Sequence, residues 1–329
     1  MPHTATISVT IRASARLHMG FLDLNGGLGR RFGSLGLSLN ELATTVTAYP
    51  DSQVSAEGPQ SSRVEAFARQ SLAAMGITGG AHFQIHQAIP DHSGLGSGTQ
   101  LALAVGTALS RLYGFDWPLN EMAKEMHRGG RSGIGLGLFA HGGFIVDGGR
   151  KERGGPPTVI SRLEFPAQWR VILVLEKTHR GLHGEQEKQA FAALPEFPEK
   201  SAGQLCRLAL MQAMPSLAEK DISGFGAAIN VIQEIVGDHF APAQGGRFAS
   251  HRVASALAWL GLNGADGIGQ SSWGPTGFAL IDSEMQARSL ARAAHNKFGA
   301  EGLEFMVCSG RNHGADIRSE GYLALAHSE

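Results

Sequence analysis

The chain has 329 residues, 43% of them hydrophobic and 17% charged, with a formal net charge of −1. That length exceeds one small core and predicts two domains, 1–160 and 161–329; the neutral balance excludes a nucleic-acid scaffold or a basic membrane-surface protein, which need excess Lys and Arg. Two cysteines, Cys206 and Cys308, are too few for a secreted disulfide framework and read as buried thiols, and the chain shows no signal core and no run of about 20 apolar residues, so a cytoplasmic protein is expected.

In chain order, Ile7, Val9 and Ile11 alternate with Ser8, Thr10 and Arg12, which predicts a strand over 5–12. The polar segment Ala13–Arg31 follows it. There Asp23 could hold Mg²⁺ or orient a donor, Arg16 and Arg30 could grip phosphate or carboxylate oxygens in a fork, and His18 could donate to either. The same residues also fit a hairpin whose charges face water. Strands are predicted near 43–49 and 82–88.

The run Ala88-Ile-Pro-Asp-His-Ser-Gly-Leu-Gly-Ser-Gly-Thr-Gln100 comes next, with helical periodicity after it at Leu101, Val105, Ala108, Leu109 and Leu112. Gly94, Gly96 and Gly98 therefore sit in a turn that opens a helix, where backbone can approach a ligand closely and the first amides lack intrahelical acceptors. Those amides and the positive end of the helix dipole predict an anion site, most simply for phosphate. Ser97 and Thr99 add hydroxyl donors or cap the helix. No Lys-Ser/Thr pair ends the loop, so it is not the P-loop of common nucleotide hydrolases.

Helices are predicted near 98–113 and 118–128 and a strand at 143–147, with nine glycines between Gly129 and Gly149 reading as ligand loops and tight turns. Within that stretch Arg131 and Ser132 are candidate anion contacts. The turn-rich run 150–157 marks the domain junction, a buried strand follows at 171–175, and helices cover 202–213, 221–237 and 250–261. His179 and His183 have the helical i, i+4 metal spacing, but Gly181 and Gly184 argue against a helix and a zinc site is rejected; a loop carrying Arg180, His183 and Glu185 to the cleft is the alternative. Gln244-Gly-Gly-Arg-Phe248 and Gln270-Ser-Ser-Trp-Gly-Pro-Thr-Gly277 complete the set, placing Arg247, Ser271, Ser272, Trp273 and Thr276 among the substrate-binding candidates, with Trp273 either a stacking platform or a core anchor. Strand 277–282, helix 283–298 and strand 303–309 end the pattern.

The glycine turn resembles the second motif of the GHMP small-molecule kinase superfamily, Pro-x-x-x-Gly-Leu-Gly-Ser-Ser/Gly, from Pro90 to Ser97, and departs at Thr99 and Gln100, where those kinases usually have Ala. Where many of them carry Ser-Gly-x-Asp, with Asp as the base that deprotonates a substrate hydroxyl, this chain has Gly135, which can do no acid–base work. Together with Arg-Leu-His-Met-Gly-Phe-Leu-Asp, Arg-Ser-Gly-Ile-Gly, Gln-Gly-Gly-Arg-Phe and Gln-Ser-Ser-Trp-Gly-Pro-Thr, the turn makes the chain similar, over about 5–318, to the β-ribofuranosylaminobenzene 5′-phosphate synthase family, a non-kinase branch.

The resemblance implies a two-domain α+β GHMP-kinase-like fold, with a ribosomal-protein-like N-terminal domain and a ferredoxin-like C-terminal domain. It implies condensation of phosphoribosyl pyrophosphate with 4-aminobenzoate or 4-hydroxybenzoate, loss of pyrophosphate and CO₂, and a carbon–carbon glycosidic bond, a step of methanopterin biosynthesis. It further implies that Gly94, Gly96, Ser97, Gly98 and Thr99 bind a phosphate group. Asp23 would hold Mg²⁺ or stabilise a ribosyl cation, Arg30 would bind a phosphate or the benzoate, and the protein would be a homodimer without an organic cofactor. The alternatives are an ATP-dependent small-molecule kinase that uses another carboxylate and a non-catalytic phosphoribosyl-binding protein.

Overall fold

The computed structural model describes residues 4–152, 154–176 and 193–323. The first half holds β1 (Thr4–Asp23), β2 (Arg30–Asp51), β3 (Ser55–Glu57), α1 (Ser61–Met75), β4 (Gly80–Gln87), α2 (Ser97–Leu112), α3 (Leu119–Glu125), α4 (Ile134–His141), β5 (Phe144–Asp147), β6 (Arg150–Lys151) and β7 (Val159–Leu163). The second holds β8 (Arg170–Glu176), α5 (Glu199–Leu208), a π-turn (Ala209–Ala213), α6 (Met214–Glu219), α7 (Ile222–Gln244), α8 (His251–Leu262), β9 (Gly267–Gln270), β10 (Gly277–Ile281), α9 (Glu284–Phe298), β11 (Leu303–Cys308) and β12 (Asp316–Leu323).

The segment 13–31 is not a loop: β1 and β2 form one long antiparallel hairpin with Arg16 opposite Ser38 and Asp23 opposite Phe32. The reason is visible in the apolar side chains, since Ala13, Ala15, Leu17, Met19 and Phe21 are all buried at alternate positions. β1 bulges between Ser14 and Arg16 and again between His18 and Gly20, which re-aims the polar residues it carries. The main sheet runs β12-β1-β2-β4-β3, with β5 on the first half of β2 and β7 on β5. A second antiparallel sheet runs β11-β8-β10-β9. Because β12 pairs with β1, residues 316–323 belong to the first sheet although they lie within the 161–329 half.

Helices α1 and α2 bury Phe67, Leu72, Leu101 and Val105 on one sheet, and α8 and α9 bury Leu257 and Ala291 on the other. A third core runs between the halves: Phe144 of β5 meets Phe225 of α7 edge-on at 5.5 Å, and Trp169 packs on the same Phe225 at 5.8 Å. The helix α4 occupies part of the glycine stretch, where its glycines serve packing: a Cβ on Gly137 would stand 2.6 Å from Val159 and 2.8 Å from Ile145. Cys308 is buried as expected, whereas Cys206 is exposed. No helix among the described residues is long and apolar enough to cross a membrane.

Candidate active site

The strand–turn–helix at the glycine run is present, from β4 to α2. Gly94 and Gly96 have φ of 77° and 79°, a backbone region that favours glycine. Space demands it as well, because a Cβ on Gly94 would overlap the Ser271 carbonyl oxygen and one on Gly96 would lie 2.5 Å from Arg16 Cγ. No side chain caps the start of α2, and among the described residues the Leu95, Gly96, Ser97 and Gly98 amides meet no protein acceptor. Ser97 Oγ donates to Asp91 Oδ1 at 3.2 Å.

Two arginines that the sequence reading missed stand over this helix end. The Cβ position of Gly98 is 3.0 Å from Arg63 Nη2 and 3.5 Å from Arg128 Nη1. Arg63 pairs with Asp91. Arg128 lies over the Phe67 ring at 5.0 Å, and its Nε is buried without a hydrogen-bond partner among the described residues. Burial, then the charge of Arg63, pulls the Arg128 pKa below its ordinary value. Two guanidiniums and a helix N-terminus thus share one carboxylate, an excess of positive potential that an anion would neutralise. Arg128 opens the glycine stretch already singled out; Arg63 sits on α1, whose helical spacing of Val64, Phe67, Ala68, Ser71, Leu72 and Met75 was the available signal.

Other candidates converge on the same turn. Arg16 Nη1 donates to Gly94 O at 3.3 Å. The His18 amide donates to Ser271 Oγ at 3.0 Å, and that hydroxyl donates to Gly94 O at 2.8 Å. Thr276 closes the loop by accepting the Ser271 amide at 2.9 Å, while Ser272 (φ 57°) forms its tip. Trp273 is 5% exposed and packs on Phe240 at 4.7 Å, a core anchor at the rim of a cavity. Arg247 lines that cavity but is held by Asp238 at 2.8 and 3.0 Å and by Glu234 at 3.2 Å, which raises its pKa. A glutamine chain that the sequence did not reveal ties the elements: Gln233 donates to Met19 O, and the Gln270 amide donates to Gln233, both at 2.8 Å.

Gly135 sits in the first turn of α4, where Gln100 Nε2 donates to its carbonyl at 2.9 Å and a Cβ would meet Thr99 Cγ2 at 3.0 Å. Ser132 bonds Ser34 at 2.6 Å and, with the Gly133 amide, faces buried Asp147, whose pKa burial raises against those hydrogen bonds. It belongs to that buried network; Arg131 beside it is half-buried.

Asp23 and Arg30 lie at the other end of the hairpin, away from the glycine turn. Asp23 Oδ1 accepts the Asn25 and Gly26 amides at 2.8 and 2.9 Å, building the hairpin turn, and the residue lines a separate cavity with Glu199, Lys200 and Cys206. Arg30 Nη1 donates to Gly149 O at 2.9 Å. One free carboxylate oxygen in a cavity apart from the phosphate-type turn does not make a magnesium cage, and no group of three His, Cys, Asp or Glu suited to a metal occurs among the described residues. His179, Arg180, His183 and Glu185 lie outside the described residues.

Comparison with known proteins assigns the class. The GHMP kinases N terminal domain profile matches residues 62–143 and the GHMP kinases C terminal profile residues 213–301. The fold superimposes on a homoserine kinase from Cytophaga hutchinsonii with a TM-score of 0.68 at 19% identity, covering 94% of this chain and 97% of that one. It also superimposes on the mevalonate diphosphate decarboxylase of Enterococcus faecalis, with a TM-score of 0.63 at 16% identity over 96% of this chain and 100% of that one. The fold is therefore that of the GHMP kinases, α+β in two parts. Within that class the chain is 34% identical over 321 residues to the beta-ribofuranosylphenol 5′-phosphate synthase of Archaeoglobus fulgidus, covering 93% of this chain and 98% of the relative. It is 33% identical over 331 residues to the synthase of the same name from Methanothermobacter thermautotrophicus, covering 94% and 98%. The chain belongs to the beta-ribofuranosylphenol 5′-phosphate synthase family and is an enzyme of pentosyltransferase type.

Proposed function

We propose that this enzyme joins phosphoribosyl pyrophosphate to 4-hydroxybenzoate to form a β-ribofuranosylphenol 5′-phosphate, in methanopterin biosynthesis. The observation that carries the reading is the pairing of an intact anion cradle with a blocked kinase base: free α2 amides, Arg63 and Arg128 stand ready for phosphate, while Gly135 is packed under Thr99 and Gln100. The phenol in the name of the relatives supports hydroxybenzoate over aminobenzoate as acceptor.

The ring carbon that bears the carboxylate attacks ribose C1, and the C1–O bond to pyrophosphate breaks with its electron pair leaving on pyrophosphate. The ring–carboxylate bond then breaks, its pair restores aromaticity, and CO₂ departs. The protein supplies no covalent nucleophile. Its part is to hold both substrates in line and to stabilise the departing pyrophosphate with amides and guanidiniums. Gly94 and Gly96 give the close approach, Ser97, Gly98 and Thr99 lie at the helix end that faces the phosphates, and Arg16 flanks them. Asp23 and Arg30 are proposed to act on turnover from the hairpin tip, and Mg²⁺ to accompany the polyanionic donor, with no step routed through it. A cytoplasmic homodimer completes the proposal, its mass to be measured by light scattering.

The test is incubation with carboxyl-labelled 4-hydroxybenzoate. Labelled CO₂ released only when phosphoribosyl pyrophosphate is present supports the synthase; substrate-dependent ADP formation from ATP would favour the kinase alternative.

A further inference from the structure

His18 carries a buried polar atom that nothing among the described residues satisfies. The residue is 2% exposed, and its Nδ1 accepts the Gly20 amide at 3.3 Å. That bond places the ring proton on Nε2, since a nitrogen that accepts cannot also carry the hydrogen. Nε2 is buried and has no hydrogen-bond partner among the described residues. Burial, then the charge of Arg16, pushes the His18 pKa down to about 3, so the ring stays neutral and cannot gain a second proton near neutrality. Nε2–H is therefore a fixed donor that must meet an acceptor, because a buried donor left unmade costs free energy.

His18 also lines a small cavity. His18, Phe21, Phe240 and Trp273 supply aromatic walls, with Gln233 and Gln270 at the polar edge. The void holds about 20 Å³, room for one oxygen-sized group and not for a ring. One wall comes from β1 and the other from α7 and the 270–274 turn, so the void lies where elements of the two halves meet. Ser271 joins this slot directly to Gly94 of the phosphate turn.

We infer that His18 is a specificity-determining residue of the aromatic acceptor site, donating from Nε2 to the para oxygen of the acceptor and so selecting a phenol over an aniline. The inference rests on the proposed reaction. A phenol or phenolate oxygen accepts this hydrogen bond readily. An aniline nitrogen has its lone pair drawn into the ring and presents two N–H donors to a donor. A site built to bond one group rejects the analogue that leaves its buried partner unpaired.

The test measures kcat/KM for 4-hydroxybenzoate and 4-aminobenzoate, and KM for phosphoribosyl pyrophosphate, in the wild type, His18→Phe and His18→Asn. The wild type is expected to prefer the hydroxy acid by about tenfold or more. His18→Phe should lower that preference by a similar factor with the donor KM changed less than about threefold, and His18→Asn, which keeps an N–H donor, should retain part of it. Equal use of the two acids by the wild type, or a His18→Phe loss shared equally between them, overturns the inference and leaves the reaction standing; no CO₂ release with either acid overturns the reaction itself. Should the variants fail to fold, tryptophan fluorescence of the wild type decides: 4-hydroxybenzoate should bind about tenfold tighter than unsubstituted benzoate. Equal affinity would mean that a water alone satisfies Nε2.

Discussion

Arg128→Met separates the cost of the anion cradle from its use. In the free protein Arg128 is a half-buried cation beside Arg63, stacked on Phe67, with no carboxylate of its own among the described residues. Methionine keeps the apolar stem on the ring and removes the charge, so the unliganded variant should melt at or above the wild-type temperature. With donor the sign reverses. A lost hydrogen bond to a charged group is worth about 1.5–3 kcal/mol, which weakens binding roughly 10- to 150-fold. Ligand at 100 times Kd stabilises the wild type by about 2.7 kcal/mol; after a 30-fold loss the same concentration stabilises by only about 0.9 kcal/mol. Thermal melts with and without phosphoribosyl pyrophosphate, paired with its KM, check both halves. A variant that melts lower without ligand yet keeps the full ligand-induced shift would show that Arg128 is a structural residue and that the phosphates bind elsewhere.

Gly96→Val should abolish donor binding and cost about 1–3 kcal/mol of stability, because valine would be forced to φ 79° with its Cβ 2.5 Å from Arg16 Cγ; normal donor affinity in calorimetry would move the anion site. Gly135→Asp should give no ADP from ATP and should destabilise the protein, since the new side chain meets Thr99 Cγ2 at 3.0 Å; robust ADP release would refute the blocked-base argument. Asp23→Asn should lower kcat and Arg30→Lys should raise the KM of the substrate it grips, both with unchanged melting temperature; wild-type kinetics in both would leave the hairpin tip a solvated turn. The depressed His18 pKa also sets a pH dependence: the unfolded chain binds a proton below about 6.5 that the folded chain refuses until about 3, so stability is full above pH 6.5 and falls as pH drops. From pH 8 to pH 5 that amounts to about 2 kcal/mol, read as urea midpoints and absent from His18→Phe.

Much of this was legible in the sequence and some of it was misread for identifiable reasons. The glycine turn, its following helix, the strands at 171–175, 277–282 and 303–309 and the helices starting at 250 and 283 fall where periodicity puts them, the last two behind capping serines, whereas the helix read as 221–237 runs on to Gln244 and the short strand Gly267–Gln270 was not read. The extent of β1 was missed although the alternation at Ala13, Ala15, Leu17, Met19 and Phe21 continues it, since Arg16 and His18 look like loop residues until a partner strand covers them. The helix α4 was hidden by glycines that read as turns and are in fact close-packing points. The His18 tautomer and the Arg63–Arg128 cluster could not be read at all. Each depends on groups brought together by the fold: a bulge that presents the Gly20 amide in one case, and the meeting of α1, α2 and the 128–131 turn in the other.

The departures from the kinase pattern at Thr99, Gln100 and Gly135 look like three separate changes in sequence and are one object in space. The Thr99 methyl stands where a side chain at 135 would have to begin, 3.0 Å from the position of a Cβ on Gly135. Gln100 donates from the facing helix to the Gly135 carbonyl in the first turn of α4. Reverting one member therefore leaves the other two in the way, as a clash at Thr99 or a carbonyl contact that an aspartate would crowd. Among the described residues the Gln100 Oε1 is left buried without a partner, a cost set against this contact. A site that had merely lost its base would have kept alanine beside an empty position; here the position is filled and fastened, while the glycine turn a few residues upstream keeps its amides open. That combination fits an enzyme in which phosphate recognition survived and proton abstraction from an alcohol did not, because a reaction driven by pyrophosphate departure and CO₂ loss needs no hydroxyl deprotonated.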